Sequence, residues 1–323
     1  MTLELGKLFT KNAITALVYK SESKQQWDSF VSDAKNGVFL FNRDYMEYHA
    51  NRFVDHSLLF FKNKKLVALL PANLDCHTLH SHAGLTFGGI ISGYNMTQAL
   101  MSEIFKTLIN HCKKEGISEI IYKAVPYIYH SAPANEDLYA LFNAGAKLLG
   151  RNCSSSIFLA EKGAFNRHRL RAIRIAEKNN LLVKRSFDFQ QFMALAQQVI
   201  GERHGVKPVH SADEIERLAR RFPDNIKLFA SYKGDKMLAG IIIYESKNIA
   251  HGQYGANSDE GRSIGAEDLI VNYLVNDYYK DKKYFDFGIS TENCGQILNR
   301  GLAAYKEGFQ ASTVVYDFYR LPI

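Results

Sequence analysis

The stretch Tyr284–Phe309, YFDFGISTENCGQILNRGLAAYKEGF, crowds side chains that give or take protons into a few positions: Asp286, Ser290, Thr291, Glu292 and Asn293, with Asn299 further on. Carboxylate, hydroxyl and amide groups so close together suit proton transfer or the binding of a polar ligand. Aromatic residues typical of a buried strand open the stretch, Gly288 breaks it, and an alternating apolar pattern resumes at Ile297. The order is strand, polar loop, helix, and α/β proteins commonly bind ligands just past such a strand. Ser, Thr and Asn also suit a helix N-terminus, so capping stands beside chemistry as a reading. Asp286-Phe287-Gly288 matches a kinase triplet. No glycine-rich phosphate loop, strand lysine motif or His-Arg-Asp loop accompanies it, which excludes that class.

Positioning these groups takes a scaffold, and 323 residues, 46% apolar and 23% charged, are globular material long enough for two domains. The formal charge of +7 is spread along the chain, with one denser run at Arg167–Arg174. It is compatible with nucleotides, coenzyme phosphates or nucleic acid and does not choose among them. Cys76, Cys112, Cys153 and Cys294 form no CxxC pair, which argues against a zinc site or a disulfide framework. No signal-peptide pattern opens the sequence and no window reaches the ~18 apolar residues of a membrane span. A metal-free, soluble, cytoplasmic protein is expected.

Along the chain, 12–19 and 38–41 read as strands around a helix with Trp27 and Phe30, followed by FLFNRDYMEYHANRF, Phe39–Phe53, where aromatic, amide and basic groups mix. A hairpin is expected at 58–61 and 66–71, and a strand at Leu85–Ser92 in which Gly88-Gly89 suggests a bulge or a ligand's close approach. Residues 97–115 predict an amphipathic helix and 118–124 a strand. In the second half, strands are expected at 226–232, 237–245, 248–255, 284–287 and 312–319, with helices at 265–279 and 297–307. Residues 140–159 and 303–321 share one order, helix, glycine, strand, which points to a duplication.

Five segments carry a family resemblance: SHAGLTFGG (81–89), KAVPYIYH (123–130), RHGVKPVHS (203–211), AHGQYGAN (250–257) and DFGISTENCGQILNRGLAAYKEGF (286–309). Taken together the chain resembles the tandem, FemAB-like branch of the GNAT acyltransferases, and within it the FdhC-type nucleotide-sugar N-acyltransferases. The resemblance covers nearly the whole chain. It implies an α/β (α+β) fold of two tandem GNAT-like domains, each a mixed, mostly antiparallel sheet flanked by helices, at 1–162 and 181–323 with a linking helix at 163–180. It implies transfer of an acetyl or 3-hydroxybutanoyl group from coenzyme A to the amine of a dTDP- or UDP-linked amino-dideoxysugar, in a ternary complex, for O-antigen, lipopolysaccharide or capsule assembly. Nucleic acid is not an expected partner, and a monomer or homodimer is. The usual Arg/Gln-x-x-Gly-x-Gly/Ala pyrophosphate loop is represented by Arg262-Ser-Ile-Gly265-Ala-Glu267, which lacks the last small residue. Its backbone N–H groups and helix dipole would attract phosphate.

Acyl transfer from a thioester needs a neutral amine, polarisation of the carbonyl, and a proton for the thiolate. Candidate bases are His82, Glu292, His204, His251 and His130, with Tyr305 as the acid, and a backbone N–H near His251–Tyr254 for the oxyanion. The coenzyme is expected on Gln253, Tyr254, Arg262, Gly265, Asn299 and Lys306. The acceptor is expected on Tyr45, Ser81, Thr86, Lys123, Tyr129, His130, Arg203, Asp286, Ser290 and Asn293. Two other classes stay open: a FemX-like transferase using aminoacyl-tRNA and a peptidoglycan precursor, which would want a concentrated basic surface, and a non-catalytic nucleotide-binding module.

Overall fold

The computed structural model describes residues 13–204 and 210–323, with the side chains of 49 and 200–204 left aside. It divides into two compact units, the first made of Met1–Asn152, Asn293–Gln296 and Val315–Ile323, the second of Cys153–Glu292 and Ile297–Val314.

In the first unit the strands Ile14–Val18, Leu58–Lys62, Lys65–Leu70 and Ile91–Ser92 form an antiparallel sheet. Its expected hairpin turns through Asn63 and Lys64, both at positive φ. A further run of strands places Ser312–Pro322 beside Glu119–Lys123, then Thr78–His80, Asn73–Asp75 and Val54–Asp55. Helix Gln98–Lys114 buries Met101, Ile104, Phe105, Leu108 and Cys112, one face at helical spacing, among Phe60, Leu70, Leu79 and Tyr122. Thr97 caps it by accepting from Leu100 N at 3.2 Å. Two expected strands differ. Phe39–Phe41 is a 3-10 turn. Of Leu85–Ser92 only the last two residues pair: a Cβ at Gly88 would lie 2.0 Å from Ser81 O and one at Gly89 2.7 Å from Tyr122 Oη, so the segment rests on these groups rather than in a ladder.

In the second unit the strand order is Leu182–Ser186, Ile226–Lys233, Lys236–Glu245, Ile249–Asn257, Tyr284–Ile289, Lys147–Phe158. All neighbours are antiparallel except Ile249–Asn257 with Tyr284–Ile289, which run parallel. The strands Ile226–Lys233 and Lys236–Glu245 are buried almost throughout, as their continuous apolar sequences require. The helix expected at 265–279 is built in pieces: Asp259–Ile264, a left-handed Gly265 at φ 76°, Ala266–Tyr273, and a π turn Leu274–Tyr278. Helix Arg167–Lys178, expected as a linker, belongs to this unit, with Ile173 in one cluster with Phe165, Ile270 and Phe309. The unit boundary accordingly falls at 152/153, inside the strand Lys147–Phe158, rather than at 162.

Helix Glu136–Asn143, Gly145 and strand Lys147–Phe158 are matched in order by helix Arg300–Glu307, Gly308 and strand Ser312–Pro322. The mixed α/β organisation expected from the sequence is present. Among the described residues no helix is long and apolar enough to cross a membrane.

Candidate active site

The two parallel strands of the second unit pair only at Ile249↔Tyr284, Ala250↔Phe285 and His251↔Asp286. Beyond that last pair Ile249–Asn257 runs on. Against its other neighbour its register jumps from Tyr254 opposite Ile242 to Gly252 opposite Ile243, so Gln253 is an extra, bulged residue. A bulge interrupts the ladder and releases backbone groups for a ligand. Gly288, at φ 79°, turns the other strand away, and a Cβ there would come within 3.4 Å of His251 Cε1. A Cβ there would only touch the imidazole, and it is the left-handed φ that calls for glycine.

His251 and Asp286 meet where the strands part. His251 Nδ1 lies 2.7 Å from Asp286 Oδ2, and Ser154 donates its hydroxyl to Asp286 Oδ1 at 2.7 Å. Asp286 is fully buried and His251 nearly so. The carboxylate accepts from Nδ1–H, which selects the tautomer with a basic Nε2. Lys306 reaches the same place from helix Arg300–Glu307 and donates to Gly288 O and Ile289 O at 2.9 and 2.8 Å. Burial pushes its pKa down to about 8, with the Asp286 charge working against that. Together these groups can take a proton from an amine and hand it on.

The polar loop is a small hairpin, Thr291–Glu292 paired with Ile297–Leu298, reversing through Asn293, Cys294 and Gly295 at positive φ. Asn299 is the N-cap of the helix that follows, accepting from Leu302 N at 3.1 Å, so capping accounts for that residue. Its amide lies 3.4 Å from the exposed Glu292 Oε1. Asn293 Nδ2 donates to Gln296 Oε1 at 2.9 Å. Ser290 is buried, with its backbone N–H on Cys153 O at 2.8 Å and its hydroxyl unpartnered among the described residues.

At the expected pyrophosphate loop, Arg262 pairs with Asp259 and donates to Asn257 O at 2.7 Å. A Cβ at Gly265 would stand 2.3 Å from Ala172 O, so this glycine lets helix Arg167–Lys178 lie against the turn. Arg169 of that helix pairs with Asp268 at 2.8 Å and stacks 4.8 Å from the Tyr305 ring centroid. Burial, then the neighbouring Asp268, pushes the Glu267 carboxyl up to about 7, while Asn257 Nδ2 donates to it at 3.3 Å. Burial likewise holds the Tyr305 phenol well above its usual range. Burial pushes Tyr254 up to about 12, and its hydroxyl meets His210 Nδ1.

The first-unit candidates are dispersed. Tyr45 packs between the rings of Phe39 and Tyr48 at 5.4 and 5.6 Å. Tyr129 lies 4.4 Å from Phe87, with its hydroxyl 3.2 Å from that of Tyr316. His130 Nε2 is 3.0 Å from Val125 O, and burial pushes its pKa down to about 4. Ser81 Oγ accepts from Lys123 N at 2.7 Å, and Lys123 Nζ donates to Ala83 O and Leu85 O at 3.2 and 2.5 Å; burial pushes this amine down to about 8. Thr86 is exposed, and His82 is buried at φ 61° with its ring 5.4 Å from Phe53. The side chains of Arg203 and His204 fall outside the described residues. The structure thus brings His251, Asp286 and Lys306 together. Sequence reasoning passed over Ser154, whose signal is the unusual Ser154-Ser-Ser156 run inside a strand, and Arg169.

Residues 164–307, under half of the chain, match the acetyltransferase (GNAT) domain family. No curated protein matches the chain. Among solved structures, FemX aligns with TM-score 0.65 and 13% identity, covering 94% of this chain and 96% of its own. The C-terminal domain of a putative lysylphosphatidylglycerol synthetase from Agrobacterium fabrum aligns at 0.61 and 9%, covering 93% and 92%. A conserved protein of unknown function from Bacteroides thetaiotaomicron aligns at 0.62 and 12%, covering 96% and 99%. Such identities speak for the fold, which is GNAT-like. The second unit carries a GNAT-type acyltransferase domain, and GNAT domains use acyl-CoA.

Proposed function

We propose that the protein is an acyl-CoA-dependent N-acyltransferase whose general base is His251, and whose acceptor is the amine of a nucleotide-linked amino-dideoxysugar of the kind used in surface glycans. The observation that carries this reading is the buried His251–Asp286 pair at the parting of two parallel strands, inside the stretch that matches the acetyltransferase domain. Asp286 holds the Nδ1–H tautomer, and Ser154 fixes the carboxylate in turn. His251 Nε2 then takes the proton as the amine nitrogen attacks the thioester carbonyl. The C–N bond forms, the oxyanion accepts from backbone N–H groups freed near the Gln253 bulge, and collapse breaks the C–S bond. The imidazolium returns the proton to the thiolate, so amide and free coenzyme leave with every proton accounted for. Lys306 orients the end of the strand through its two carbonyl contacts.

A second reading, a FemX-like transferase using aminoacyl-tRNA, is favoured by one observation. Helix Arg167–Lys178 lies against the Gly265 turn and exposes Arg167, Arg171, Arg174 and Lys178 at successive spacings of 4, 3 and 4 residues, one basic face. Calorimetric titration with coenzyme A and, separately, with aminoacyl-tRNA decides. Micromolar coenzyme binding, with thiol release from acetyl-CoA when an amino-sugar nucleotide is added, supports the first reading. Salt-sensitive tRNA binding without coenzyme binding replaces it with the second.

A further inference from the structure

The edge strand Leu182–Ser186 and the helix Ala212–Arg221 both belong to the second unit, and the acyltransfer reading uses neither. Between the end of that strand and that helix lies a cavity of about 350 Å³, within the size range of small-molecule sites. Its floor is apolar: Phe189, Ala219, Ile226 and Leu228 line it, and each is buried. Phe187 lines it too and is 73% exposed, a large ring that an apolar ligand would shield from water.

The charges around this floor do not balance. Four ionisable side chains line the cavity, Arg185, Glu216, Arg220 and Lys227. Arg220 pairs with Glu216 at 2.5 Å, and Gln190 Nε2 donates to the other Glu216 oxygen at 3.0 Å, so both oxygens of that carboxylate are engaged. Lys227 pairs with Glu245 at 2.6 Å. Arg185 has no carboxylate partner among the described residues. It donates Nη2 to Pro223 O at 3.1 Å, and its guanidinium carbon lies 5.1 Å from the Phe187 ring centroid. A guanidinium carries five N–H donors, and one bond to Pro223 leaves the others for a ligand.

We propose that this cavity binds a monocarboxylate with a medium-length aliphatic chain, the carboxylate on Arg185 and the chain against Phe187 and the buried floor. The planar guanidinium fork matches a carboxylate through two parallel hydrogen bonds. One uncompensated cation balances one negative charge, whereas a phosphate monoester would bring a second close to Glu216. A cationic amphiphile would meet Arg185, and an uncharged one would leave that charge unmatched. The site is separate from the His251–Asp286 pair: the strands Ile226–Lys233 and Lys236–Glu245 stand between Leu182–Ser186 and Ile249–Asn257. Binding there does not depend on which donor or acceptor the chemistry takes.

The test is calorimetry on the full chain with decanoate, with decyltrimethylammonium, which has the same chain and the opposite charge, and with acetate, the head group alone. Decanoate should bind with a sub-millimolar Kd and the other two at least about tenfold more weakly. Arg185→Gln and Phe187→Ala change exposed side chains, which the fold tolerates. The first should weaken decanoate at least about tenfold and the second about threefold, with coenzyme A binding as in the parent chain. Equal binding of decyltrimethylammonium, parent-like decanoate affinity in Arg185→Gln, or displacement of decanoate by coenzyme A overturns the proposal. So does a parent chain that binds no decanoate; if sedimentation then shows a dimer that Phe187→Ala dissolves, a second copy covers this surface instead. A chain that binds decanoate but not coenzyme A sinks the acyltransfer reading and leaves this site standing.

Discussion

Each unit sinks a carboxylate beside a ring, Asp137 in the first and Asp286 in the second, and the partners set the two apart. In the first, Asp137 accepts from the Tyr122 hydroxyl at 2.5 Å, and that hydroxyl accepts from Ile90 N at 2.7 Å. Burial pushes Asp137 up to about 6 and, aided by Asp137, holds the Tyr122 phenol well above its usual range. A phenol so held does not trade protons near neutral pH, so the pair works as a strut under the turn at Gly89. In the second unit the partner of Asp286 is an imidazole, whose two ring nitrogens can hold a proton on one side and accept one on the other. It sits at the last rung of a parallel pairing rather than in the middle of a core. Burial of a carboxylate is therefore no mark of chemistry. The partner and the opening beside it are.

The largest test of this contrast is His251→Gln, expected to lower turnover about 10²–10⁴-fold while the protein still binds its donor. Glu292→Gln, the same kind of change on the exposed loop carboxylate, should cost less than about threefold. Steady-state thiol release measures both, and a reversal of the two effects would move the base to the hairpin. Next, Tyr122→Phe should leave turnover intact and cost about 1–3 kcal/mol in denaturant unfolding, because it strands Asp137 and Ile90 N–H. A matching loss of turnover with unchanged stability would make the strut a chemical group. The smallest effect is expected at Glu267, a carboxyl with neither kind of partner. Its folded pKa of about 7 lies above the ordinary 4.5, so its stabilising contribution is complete below about pH 4.5 and disappears as pH rises through about 7. Glu267→Gln should therefore raise Tm relative to the parent chain more at pH 8 than at pH 5, by about 1–3 °C. An equal difference at both pH values would mean that Glu267 titrates normally.

Much of the scaffold was legible because its signals are local. The buried face of Gln98–Lys114 repeats at helical spacing, and the apolar runs at 226–233 and 236–245 leave room only for buried strands. His251 and Asp286 were each singled out, but their pairing depends on strand register, which period-two patterning does not fix. The hairpin after Ile289 escaped because two of its turn residues, Asn293 and Cys294, hold positive φ without being glycine. Arg43 drew no reading of its own within Phe39–Phe53, since only the fold reveals that two carboxylates and two aromatic rings enclose it. Helix Arg167–Lys178 read as a linker because its many charges hide Ile173 and Ala176, the two residues it buries.

The strand Ser312–Pro322 lends its last residues to the first unit, where Tyr319 faces Tyr122 and Arg320 Nε donates to Glu119, 201 residues earlier, at 2.6 Å. Leu321, 1% exposed, completes that unit's core. On the ribosome, at ~5–20 residues per second, Glu119–Lys123 waits roughly 10–40 s for its partner strand. Newly made chain therefore carries an open sheet edge and an unfinished core through most of its own synthesis. A translational pause or a premature stop near residue 310 would leave the second unit nearly whole and the first exposed to aggregation.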